Sequence, residues 1–403
     1  MSIVIDNKKI ININISNKNV QKIVDILTDK IIFEKTKPVS NEYFYIENTY
    51  DGSNTISLVT TVGTAEITGP HATQLQYSKD KKTWTTIALN GTNTILMLLG
   101  ERVYFRNDSG GFNWCKDFND SFYTQIKCSN NHKVGGNINS LLDYNNYNVA
   151  ITPYCFYKLF YKNEYLTDAN ELIFSKTTLA SECYRSMFQG CSKLTTAPEL
   201  PATTLASQCY QYMFQNCTSL TTAPELPATT LADYCYNRMF IGCSSLTSAP
   251  KLPATTLANH CYQGMFWGCT SLTAAPALPA TTLVGSCYSQ MFYNCTALTS
   301  APKLPSTTLA DYCYSSMFEG CTSLTTVPTL PATTLVEGCY KYMFENCASL
   351  NSITVYADDI SATNCTTDWL SGVAATGTFH NLGSATYPTG ASGIPSGWTE
   401  VKN

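Results

Sequence analysis

A 26-residue unit, written seven times in succession, constrains this chain more than any other feature. Cysteines fall at Cys183, Cys209, Cys235, Cys261, Cys287, Cys313 and Cys339, and a second series follows eight residues behind, from Cys191 to Cys347. A Met-Phe pair sits between the two in every copy, as at Met213-Phe214 and Met239-Phe240. Leu-x-x-Ala-Pro-x-Leu-Pro-Ala-Thr-Thr-Leu completes the unit, as from Leu220 to Leu231. Apolar positions held constant at such a period dictate a solenoid, in which each unit buries its apolar face only against its neighbours.

Within one unit the spacing predicts a short helix. Thr204 is a suitable N-cap, and Leu205, Cys209, Tyr210, Met213 and Phe214 share one side at a helical step, with Ser207, Gln208, Gln211, Tyr212 and Gln215 on the other. Gly or Asn follows in each copy (Gly190, Asn216, Gly242), residues that tolerate a positive φ at a helix end. Leu220 to Leu226 reads as a strand, interrupted or bulged at Pro224, which has no N–H to give to a ladder. The expected rung is therefore one short strand and one short helix.

The repeats fade at both ends, as solenoid caps do. Cys155-Phe156, Leu159-Phe160 and Leu166 echo the unit with Asn163 in place of the second cysteine. Cys365, Trp369-Leu370 and Gly372 echo it at the far end, where Val373 takes that place. Ahead of the repeats the pattern is β throughout. Ile11, Ile13 and Ile15 alternate with Asn12 and Asn14 in a small first module. From Tyr43 onward, short strand candidates alternate with turns such as Asp51-Gly52 and Asn90-Gly91, as in a sandwich. The expected fold is α+β: residues 1–37 a small β docking or oligomerisation module, 38–148 a β-sandwich, 149–380 the repeat solenoid, and 381–403 a capping tail.

These repeats resemble the BspA-like class of leucine-rich repeats, in which a Leu-x-x-Ile-x-Ile-Pro strand precedes an Ala-Phe-x-x-Cys-x-x-Leu turn. Here the match runs from about residue 150 to 380, with one extra residue, Pro224 and its equivalents, in the strand. A small β-module ahead of such repeats resembles proteins of gut Bacteroidetes and their phages. The resemblance implies surface attachment, binding of host or matrix protein, or self-association, and brings no catalytic residues.

Composition narrows the partners. A net charge of -4 with 13% charged residues gives no basic surface for nucleic acid. No apolar run approaches a membrane span, and Met1 to Asn7 lacks the pattern of a secretory signal. The ladder cysteines read as free buried thiols rather than disulfides, because parallel side chains on stacked turns seldom reach the bridging dihedral. Their spacing is not that of zinc ligands, and His71, His132, His260 and His380 are dispersed. No nucleophile–base pair or phosphate loop stands out, so neither catalysis nor a cofactor is expected.

The constant Tyr184-to-Tyr340 ladder reads as core edge, although a sugar-stacking platform is the functional alternative. The threonine-rich segment (Thr221-Thr222, Thr325-Thr326) reads as a solvated face, with glycan or ice-like binding as its alternative. Positions that vary between copies are the better candidates, since packing does not dictate them. Ile241, Trp267 and Tyr293 occupy one such position on three successive units and would form an exposed apolar strip for a partner. The expected role is a non-enzymatic attachment protein, a phage fibre or decoration component on the virion surface. Its N-terminal β-region would dock on other virion proteins or pair with another copy, and its solenoid would recognise a protein or glycan on a host cell. A bacterial cell-surface adhesin is the alternative.

Overall fold

The computed structural model describes residues 42–62, 75–87, 93–107 and 122–402, and the backbone of residues 2–6, 9–14, 22–25 and 30–34. Compactness divides the chain into Met1–Ser40 and Asn41–Asn403. The first unit holds two antiparallel hairpins, β1 (Ser2–Asp6) with β2 (Lys9–Asn14) and β3 (Lys22–Asp25) with β4 (Lys30–Glu34).

The second unit opens with β5 (Phe44–Asn48), β6 (Asn54–Val62), β7 (Leu75–Ser78), β8 (Thr85–Thr86), β9 (Asn93–Met97), β10 (Arg102–Asn107), β11 (Phe122–Cys128) and β12 (His132–Asn137). A 3-10 turn, Ile138–Leu141, follows. One sheet runs β13-β12-β5-β10-β7-β8, where β13 (Leu166–Ile173) already belongs to the first rung. A second sheet runs β11-β6-β9. The β12–β13 pairing is parallel, so the rungs stack directly onto the sheet. One continuous apolar core passes from Phe44, Ile56 and Phe105 through every rung to Trp398.

The α+β expectation is overturned: the described residues contain no α-helix. Where a helix is expected, the chain makes overlapping four-residue turns. The N–H groups of Cys209, Gln211, Met213, Gln215 and Cys217 each donate to the carbonyl three residues back, at 3.0–3.3 Å. The intervening N–H groups, of Gln208, Tyr210, Tyr212, Phe214 and Asn216, donate to the carbonyl 25 residues ahead, on the next rung, at 2.8–3.1 Å. Gln208, Tyr212 and Asn216 have φ near +57°, every fourth residue, which places a positive φ in alternate turns as type II turns require. The apolar period is four (Cys209, Met213, Cys217), whereas a helix would carry such a row around its axis by about 40° per step. With half its N–H groups aimed at the neighbour, this segment gains inter-rung hydrogen bonds that a helix would keep to itself. Thr204 accordingly caps nothing and instead bridges Thr178 on the preceding rung.

The expected strand fails as well, in most rungs. Between Leu194 and Pro331 the segment holds only isolated bridges such as Thr222↔Ser248 and Ser300↔Thr326. Two prolines per copy remove N–H donors there. Where the prolines are missing the strand returns: β13 in the first rung, and β14 (Ser352–Val355), β15 (Gly377–Asn381) and β16 (Trp398–Lys402), a parallel three-stranded sheet closing the far end.

Candidate functional site

The core ladders are closed to ligands. Met213, Phe214, Cys209, Cys217 and Tyr210, and their equivalents, are buried. Tyrosine rings of successive rungs stack at 5.8–6.2 Å from Tyr184 to Tyr340, continuing onto Trp369. This burial rules out a sugar platform on those rings. All cysteines among the described residues are free. The second series also donates: Cys217 Sγ lies 3.1 Å from the Phe188 carbonyl, and Cys243, Cys295, Cys321 and Cys347 repeat the contact. These thiols are thus more than small apolar fillers. Burial pushes the Cys243 thiol up to about 12.

Sequence variation concentrates on the turn face, in columns set by the four-residue period. Three residues per rung take positive φ there. The column of Asn216 is Gly or Asn in every copy, as the backbone prefers. The other two columns are not: Tyr234, Arg238, His260, Gln290, Tyr312 and Tyr342 all take the left-handed conformation. Each such residue costs about 1–2 kcal/mol of backbone strain relative to the relaxed region. Bulky, unlike side chains are held on one face at that cost, while Gly would satisfy the turn.

Ile241, Trp267 and Tyr293 stand one above another, clamped by the Asn216, Gly242 and Gly268 N–H groups, which donate to their carbonyls at 2.7–2.8 Å. They are half-buried rather than open to solvent. The Trp267 and Tyr293 rings meet at 4.6 Å, and the Arg238 guanidinium lies over Trp267 at 5.6 Å. Trp267 and Tyr293 then enter a groove of about 600 Å³, which Ile241 does not line. Tyr312 and Tyr342 supply further aromatic walls, Gln290, Ser315 and Ser316 the floor, and Glu319, Glu345, Asp368 and Lys341 the charge. Burial, then Glu319 and Asp368, raise the Glu345 carboxyl above its ordinary range. Burial and Glu319 likewise raise the Tyr293 hydroxyl. Tyr312 is raised by its hydrogen bond to Glu337, at 2.7 Å.

The Tyr312, Tyr342 and Asp368 contributions are missed when a single variable column is followed. Their signal is present: the columns of Gln208 and Tyr212 vary as freely as that of Gln215 and share its side.

Residues 149–275 and 239–365 match the model of the BspA type leucine-rich-repeat region, in six copies, and these spans cover more than half of the 403 residues. The chain belongs to the BspA-type leucine-rich-repeat family. Comparison with curated proteins and with solved structures gives no significant match. In this BspA-type chain the family's repeats account for the buried ladders and the turn scaffold. They are repeats of a kind that mediates protein–protein contact at surfaces, and the groove is what this member has built on them. Among the described residues no three His, Cys, Asp or Glu side chains gather as a metal site would need, and no helix is long and apolar enough to cross a membrane.

Proposed function

We propose that this BspA-type protein is a non-enzymatic attachment protein that grips a host cell-surface partner through the groove on its turn face, as a fibre or decoration component of a phage particle. The observation that carries the reading is the placement of Tyr312, Gln290, Tyr342 and Asp368, all at positive φ, around one groove beside Trp267 and Tyr293. The turns require positive φ but not these side chains, so bulky residues kept where Gly would be unstrained point to use of the side chains. Support for docking on a particle comes from Met1–Ser40, a compact unit separate from the rest of the chain. A cell-surface adhesin rests on the family match alone.

The test has two parts. Purified particles and purified cell envelopes are digested and the protein located by mass spectrometry; recovery from envelopes alone would sink the particle assignment. Full-length wild type and a Trp267→Ala, Tyr312→Asn double variant are then compared for binding to host cells. Undiminished binding by the folded variant would remove the groove from attachment.

A further inference from the structure

The groove's chemistry selects among partners. Resting on the reading of the groove as the attachment site, we infer that it receives an arginine-bearing segment of a partner protein, with the guanidinium on the Tyr293 and Tyr312 rings and paired with Glu319 and Glu345.

Three observations converge. Glu319 and Glu345 occupy the same column on adjacent rungs, with Asp368 lining the same groove. Rungs of this kind lie only about 5 Å apart. Among the described residues no ion pair engages any of the three carboxylates. The single lysine of the lining, Lys341, puts its Nζ 4.9 Å from the Tyr342 ring centre, so it rests on an aromatic face rather than on an acid. At the other end Arg238 lies over Trp267. The chain's own cations therefore already sit on ring faces at both ends of the groove. The middle rings, Tyr293 and Tyr312, carry none among the described residues, and the carboxylates stand beside them. An aromatic face flanked by carboxylates that lack a cationic partner attracts a weakly hydrated planar cation by ring quadrupole and by charge together. Arginine fits better than lysine because its fork can span two carboxylates one rung apart. A neutral glycan would use the rings and leave the crowded carboxylates without a balancing cation.

Full-length protein is titrated with a fluorescent tetra-arginine peptide, with its uncharged tetra-citrulline counterpart, and with maltohexaose. The arginine peptide is expected to bind at least tenfold more tightly than the citrulline peptide, with affinity falling as sodium chloride is raised. Glu319→Gln with Glu345→Gln should weaken arginine binding at least tenfold, and Lys341→Gln should strengthen it. Glu225→Gln, on another face, should leave it unchanged. Circular dichroism checks that the isosteric variants are folded. Equal binding of the two peptides, or arginine binding unmoved by the double variant, overturns the inference. So does tight maltohexaose binding that excludes the peptide, although the groove would then survive as an attachment site. Arginine binding as expected, with host-cell attachment indifferent to the groove variants, would instead overturn the proposed function alone.

Discussion

Asn163 donates its side-chain amide to His132 Nε2 at 3.2 Å and to the Ile126 carbonyl at 3.0 Å. Asn163 stands where later rungs carry the second cysteine, so the ladder gives way at the rung that meets the β-sheets. His132 Nδ1 faces the Asn130 carbonyl at 3.0 Å, which places a proton on Nδ1, and burial together with the Asn163 amide donating to the Nε2 lone pair keeps the ring neutral. The two residues pin the first rung to β12.

That neutrality predicts an acid-sensitive junction. Burial lowers the His132 pKa to about 4. The unfolded chain binds this proton near pH 6.5, the folded chain only near 4, so stability is full above that window and is lost as pH falls through it. The loss at pH 4 is at most about 3 kcal/mol. Thermal melts from pH 7 to 4 should show it, and His132→Gln should flatten the dependence; an unchanged slope in the variant would refute it.

The second cysteine series should be costlier to change than a filler residue. Cys269→Ala removes a donor to the Phe240 carbonyl and opens a small void, for about 1–3 kcal/mol. Cys269→Ser restores a donor and should recover part of that, read by urea unfolding. The fourteen ladder thiols should resist a thiol reagent at neutral pH until denaturant is added, because burial holds them protonated.

Gly320 and Gly268 share a column and a positive φ, at +74° and +71°, yet differ in their neighbours. A methyl on Gly320 would run into Asn294 Oδ1 of the rung before, whereas one on Gly268 meets only Gly242 backbone at 3.8 Å. Gly268→Ala should therefore cost about 1–2 kcal/mol, the backbone part. Gly320→Ala should cost more by about 1–3 kcal/mol of overpacking. Equal losses in chemical denaturation would show that the Asn above yields freely.

Relief of backbone strain should separate stability from recognition. Asn tolerates the left-handed region, so Tyr312→Asn is expected to hold or raise stability by up to about 1 kcal/mol while weakening partner binding. A destabilised variant would mean that Tyr312 is there for packing.

The repeat period alone established the continuous core, the burial of both cysteine rows and the Met-Phe row, and the capped ends, because constant apolar positions have only each other to bury against. It also singled out Ile241, Trp267 and Tyr293 by their variability, of which the last two line the groove. The path of the backbone between those positions was decided elsewhere. Rows such as Cys209, Met213, Cys217 satisfy a helix and a train of turns almost equally over nine residues, and the difference lies in where alternate N–H groups find acceptors. Those acceptors are 25 residues away, on the next rung, so only the stacked structure chose turns over helix. The same stacking brought Tyr312, Tyr342 and Asp368 beside Trp267, since residues far apart along the chain become neighbours only when rungs and columns are both laid down.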